Sequence, residues 1–81
     1  MTEVPWKVIR FSNEVDRPME LVVEPWATQL TIEPRSRFAV LYQPPDDRAD
    51  ESFSELRGDM VVFWCEGPTF EVEIDGAIVP T

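Results

Sequence analysis

Five carboxylates fall within ten residues, Asp46, Asp47, Asp50, Glu51 and Glu55, the densest grouping of chemically capable side chains in this chain. Hard cations such as Ca²⁺ take several oxygens from one folded loop, so the 46–55 segment is the first place to look for a metal. The spacing does not follow the EF-hand pattern, because no glycine stands at its turn position. A solvated acidic loop is the reading the pattern favours, and cation binding stays open. A carboxylate pair could also do acid/base work, but a glycosidase needs two carboxylates opposed across a sugar-sized cleft, which so small a chain can hardly build.

Other chemistry is thin. The chain has no histidine. That removes the usual general base, the commonest zinc ligand and every Ser-His or Cys-His pairing. Lys7 is the sole lysine. Ser12, Ser36, Ser52 and Ser54 all fit turns or helix caps, and Gly58, Gly67 and Gly76 are isolated, so no phosphate-cradling loop is present. The lone cysteine, Cys65, lies in the apolar run Val61 to Cys65 and reads as a buried, inert thiol, with no internal disulfide to form. Arg57-Gly58-Asp59 matches a cell-adhesion tripeptide by letter only. The expectation is a protein that is not an enzyme and carries no cofactor.

The chain has 81 residues, 43% apolar, with 16 acids against 7 bases for a net charge of −9. That length makes one domain, residues 1–81, and the charge opposes binding to nucleic acid or anionic lipid. No apolar run approaches the roughly 18 residues that span a bilayer. Met1 to Lys7 lacks the basic and then apolar regions of a secretion signal, so cytoplasmic residence is expected.

The elements that must position any site read as short strands. Thr69 to Ile74 alternates apolar and acidic residues up to Asp75-Gly76, and Ala77 to Val79 follows. Asp-Gly supplies the two positive-φ residues of a type I′ turn, predicting a hairpin that pairs Ile74 with Ala77 and Val72 with Val79. Further strands are expected over Trp6 to Phe11, Met19 to Glu24, Thr28 to Glu33, Phe38 to Gln43 and Asp59 to Glu66, with Pro34 at the second position of a β-turn. Asp50 to Arg57 reads as a short helix: Ser52 and Glu55 have capping-box spacing, Phe53 and Leu56 share a face, and Gly58 suits the helix end. The fold class expected is an all-β, small antiparallel sandwich or partly open barrel of about seven strands, with one short helix near residues 50–57.

Positions 60–65 are apolar on both faces, Met60, Val62 and Trp64 on one and Val61, Phe63 and Cys65 on the other. A small sandwich normally wets one face of each sheet, so this strand needs a second cover, either the short helix or another protein. Phe38 to Tyr42 makes the same demand more weakly. Trp26, after Pro25, either caps an open end of the sandwich or stands exposed beside Glu24 with Arg35 and Arg37, a mix typical of protein-binding hot spots. Candidate partner-binding residues are therefore Glu24, Trp26, Arg35, Arg37 and Trp64. The function expected is a non-catalytic, acidic interaction module that binds a protein partner or a second copy of itself, with no direct nucleic-acid or membrane role. The alternative is an acidic mimic of nucleic acid that occupies a basic protein. Glu71 and Glu73 line one strand, and Glu20 and Glu24 another, where Val22 interrupts them; i and i+2 lie about 6.6 Å apart, near the phosphate spacing of one DNA strand.

Arg17-Pro18-Met19-Glu20-Leu21-Val22-Val23-Glu24-Pro25-Trp26, followed by Leu30-Thr31-Ile32-Glu33-Pro34, resembles a group of small bacterial all-β proteins of uncharacterised activity. They carry an Asn-containing turn, a strand ending in Glu-Pro-Trp and a Pro-led turn before the next strand. The likeness spans Asn13 to Phe38, about a third of the chain. Those proteins usually have Gly after the Trp, where this chain has Ala27. The resemblance implies a small bacterial all-β protein and no activity. More loosely, the segment is similar to the first half of immunoglobulin-like or cupredoxin-like sandwiches. A copper site is not implied, since its His ligands are missing.

Overall fold

Two four-stranded sheets face each other in a computed structural model that describes residues 5–81. The strands are β1 (Lys7–Ser12), β2 (Met19–Glu24), β3 (Thr28–Ile32), β4 (Arg37–Gln43), β5 (Phe53–Arg57), β6 (Met60–Trp64), β7 (Thr69–Ile74) and β8 (Ala77–Val79). One sheet has the order β1-β4-β7-β8 and the other β3-β2-β6-β5, a sandwich-like, all-β arrangement without a closed barrel. The reading of the first residues as lacking a leader rests partly on Met1 to Val4, which lie outside the described residues.

Alternation builds the interior. In the first sheet, Ile9, Val40, Val72 and Val79 stand in one cross-strand row, and Phe11, Phe38, Ile74 and Ala77 in the next. The facing sheet answers with Leu30, Leu21, Val61 and Leu56 in a row, then Thr28, Val23, Phe63 and Ser54. Leu21, Val23, Ile32, Val40, Phe63 and Val72 are fully buried between the sheets. Tyr42 of β4 meets Phe63 of β6 across the gap with ring centroids 5.0 Å apart. The Asp75-Gly76 turn has φ of 49° and 87°, the type I′ signature, and Ile74–Ala77 and Val72–Val79 pair as the alternation requires.

Three expectations need correction. Residues 50–57 form no helix. Phe53–Arg57 is an eighth strand instead, so seven strands and a short helix become eight strands among the described residues. The signal was Gly58-Asp59, a Gly-X pair between two strand-length segments, with Gly58 at φ +60° as a type II′ turn requires. The i, i+3 spacing of Phe53 and Leu56 fits a helix, but on a five-residue strand it separates two faces. The sandwich is also not wholly antiparallel, because β2 and β6 run parallel, Leu21 beside Val61 and Val23 beside Phe63.

The parallel pair follows from how the chain changes sheets. β1 to β2, β3 to β4, β4 to β5 and β6 to β7 all pass from one sheet to the other. The Glu33–Ser36 turn does have Pro34 at its second position, with Arg35 at φ 68° and Ser36 N donating to Glu33 O at 3.2 Å, a type II turn. It joins the two sheets rather than neighbouring strands.

One residue ties the two crossings at that end together. Asn13 is 0% exposed, the only buried polar residue among those described. Its Nδ2 donates to Arg17 O and Ile32 O, both at 3.0 Å, and its Oδ1 accepts from Val15 N at 3.1 Å. Its backbone N donates to Ser36 O and its carbonyl accepts from Arg35 N. Every polar atom of the side chain is used, which is why an amide can sit in the interior.

Candidate functional site

The outer face of the β3-β2-β6-β5 sheet carries the two-sided strand. With no helix beside it, Met60, Val62 and Trp64 rely on side chains of their own sheet. Val62 lies between Val22 of β2 and Glu55 of β5 and is buried. Trp64 sits between Glu24 and Phe53 in register and is half-buried. Its indole stacks on Phe53, centroids 6.3 Å apart and 16° from parallel, and its Nε1–H donates to Glu55. That hydrogen bond, then the Arg57 guanidinium at 3.0 Å, holds the Glu55 carboxyl below its ordinary range.

The result is an aromatic ridge along the β5 side of the sheet. Phe53 is 54% exposed, and Leu56, on the opposite face of β5, is 79% exposed at the rim of the sandwich. β5 is the last strand of its sheet, so one side of its backbone faces solvent. Trp26, on the β2–β3 turn, covers Phe70 of β7 with centroids 4.7 Å apart yet stays 41% exposed. It both closes the end of the sandwich and presents a surface.

The candidate set therefore divides. Glu24, Trp26 and Trp64 gather at one end of the second sheet. Arg35 and Arg37 stand at the other end, a strand length of about 17–20 Å away. Arg35 is held by Asp16 and by Glu14 O, and the Arg37 backbone by Asp75. Nearness in sequence suggests a place for both beside Trp26, but β3 runs the full height of the sheet between them. Phe53 belongs to the ridge and Leu56 to the rim on the opposite face of β5, and the helix-like i, i+3 spacing hides both as surface residues.

The acidic cluster does not converge. Asp50 turns inward with a side chain 9% exposed. Tyr42 OH donates to its Oδ2 at 2.7 Å, Lys7 Nζ at 2.8 Å, and Ser52 binds its Oδ1 through both N and Oγ. Burial resists its ionisation, but the hydrogen bonds from Lys7, Ser52 and Tyr42 prevail and hold the carboxyl far below the usual range. Burial, then the Asp50 hydrogen bond, pushes the Tyr42 phenol up to about 12. Asp47 turns to Arg48, and Glu55 to Trp64 and Arg57. Among the described residues, no three His, Cys, Asp or Glu side chains gather as a metal site needs. Cys65 is buried, and burial pushes its thiol up, away from the reactive thiolate.

Glu71 and Glu73 face outward from the β1-β4-β7-β8 sheet, Glu20 and Glu24 from the other, so the two carboxylate rows lie on opposite sides of the molecule. On the first of these faces an open groove of about 710 Å³ runs over Ala39 and is lined by Arg10, Arg37, Glu73 and Asp75. It carries both signs of charge and no nucleophile beyond Ser12. Asp59 of the adhesion-like tripeptide is engaged by Arg17 at 2.7 Å.

Comparison with known proteins finds no matching family model, no matching curated protein and no matching solved structure.

Proposed function

We propose that this chain is a non-catalytic interaction module that docks another protein chain against the β5 side of its second sheet. The observation that carries this reading is the exposed Phe53 stacked on the half-buried Trp64 beside an open edge strand. Stacked aromatics tied down by a side-chain hydrogen bond form the kind of anchor that dominates binding energy, and the open edge supplies backbone groups for strand addition. Glu24 and Glu55 frame the ridge with charge, as the rim of an interface does. The placement of carboxylates on opposite faces gives the nucleic-acid mimic no continuous phosphate-like row and so favours the docking reading over it.

The test is a photo-crosslinking residue at position 53, with the same group at position 71 on the far sheet as the control. The expected result is an adduct from position 53 alone, suppressed by excess unlabelled wild type but not by the Phe53→Glu variant. Equal labelling at both positions, or none at either, overturns the reading.

A further inference from the structure

We infer that the docking partner is a second copy of this chain, joined by antiparallel pairing of β5 with β5 about a two-fold axis at Leu56. This rests on the reading of the β5 side as the interaction surface and names its occupant.

Backbone polarity permits it. The Arg57–Met60 pair closes a two-residue turn and so exchanges hydrogen bonds within the hairpin. Alternation then turns the N–H and C=O of Glu55 and Phe53 toward β6, and those of Ser54 and Leu56 toward the open edge. Leu56 opposite Leu56 of the second copy can exchange both hydrogen bonds of a closely bonded pair.

Packing asks for it. Leu30, Leu21, Val61 and Leu56 form one row on the inner face, in which Leu21 and Val61 are buried while Leu56 is 79% exposed. A second copy continues that row through its own Leu56 and Val61.

Charge selects the register. Pairing about Leu56 sets each Glu55 opposite Arg57 of the other copy, on the outer face of the joined sheet. The competing register about Glu55 sets two carboxylates directly opposite each other, which is unfavourable. Glu55-Leu56-Arg57 is thus complementary to itself in one register only. Each copy carries a net charge of −9, so association must overcome general repulsion. A short edge buries less than the roughly 1,200–2,000 Å² of a standard stable interface, so the dimer is weak and depends on concentration.

Sedimentation of the wild-type protein from about 1 μM to about 1 mM tests this, with melting curves to show that each variant folds. The expected result is a mass that doubles with concentration. Leu56→Asp, Glu55→Arg and Arg57→Glu should each raise the dissociation constant by at least about tenfold. An equimolar mixture of Glu55→Arg with Arg57→Glu should recover dimers, because each Arg then meets a Glu. If Glu55→Arg fails to fold, Leu56→Asp and Arg57→Glu, at exposed positions, carry the test. A wild type that remains one chain at the highest concentration overturns the inference. So does a dimer indifferent to Leu56→Asp, or one that Glu55→Arg forms with wild type, which reports the Glu55 register. A monomeric wild type with a position-53 adduct to some other protein sinks the dimer and leaves the docking surface standing. A monomer without any such adduct sinks both.

Discussion

Replacing Asn13 should separate two kinds of cost that a buried amide conceals. Asn13→Ala leaves the carbonyls of Arg17 and Ile32 and the N–H of Val15 without their side-chain partner. At about 1 kcal/mol for each lost hydrogen bond, the loss is about 3 kcal/mol. Against a total near 4–12 kcal/mol for a chain of this length, that is a large share. It lowers Tm by about 12–24 °C at the slope of a small domain. Asn13→Asp keeps the acceptor for Val15 but points a second oxygen at two carbonyls, with no solvent at the site. The carboxylate is then the costly form, so its folded-state pKa rises above the unfolded value near 3.9. The folded state holds the extra proton, so the substitution costs least below pH 4 and its cost grows as pH rises through that raised pKa. At neutral pH Asn13→Asp should be less stable than Asn13→Ala by about 1 kcal/mol or more. Near pH 3 the order should shrink or reverse. Urea unfolding followed by tryptophan fluorescence from pH 3 to 8 measures both. A loss under about 1 kcal/mol for Asn13→Ala, or an Asn13→Asp deficit flat with pH, refutes the argument that these bonds hold the two sheet crossings together.

Ala27 occupies φ 58°, a conformation that strains an L side chain, so Ala27→Gly should raise stability by about 0.5–1 kcal/mol once the greater freedom of the unfolded glycine is subtracted; an unchanged or lower urea midpoint contradicts this. A Cβ at Gly67 would lie 1.6 Å from the carbonyl oxygen of Gln43, so Gly67→Ala should cost about 3 kcal/mol or more, read as a fall in Tm. The depressed Asp50 carboxyl contributes stability that is complete above the ordinary Asp range and is lost as pH falls through its folded-state pKa. Asp50→Asn should therefore lose stability at neutral pH and show a shallower decline on acidification below about pH 4 than wild type. Parallel profiles for the two proteins would exclude Asp50 as a source of the acid response.

Asn13 and Pro34 stand at the two sheet crossings of one end, and Trp26 closes the other. Ala27, after Trp26, takes a positive φ.

By itself the sequence determined local pairing and sidedness. Alternation from Thr69 to Ile74 and the Asp75-Gly76 dihedral preference set the β7–β8 hairpin and its register, because both depend only on residues within reach of one turn. The acidic charge and missing histidine likewise needed no coordinates. Tertiary structure decided everything that depends on which strands become neighbours. Nothing local distinguishes a turn that joins adjacent strands from the Glu33–Ser36 turn, which carries the chain into the opposite sheet. The parallel β2–β6 pair, the separation of Arg35 and Arg37 from Trp26, and the burial of Asn13 all follow from that step. For Phe53–Arg57 the helical and extended readings compete on weak local preferences. Pairing with β6 settles the matter, because the extended form lets the Phe53–Arg57 backbone exchange hydrogen bonds with the side of β6 that no other described strand pairs.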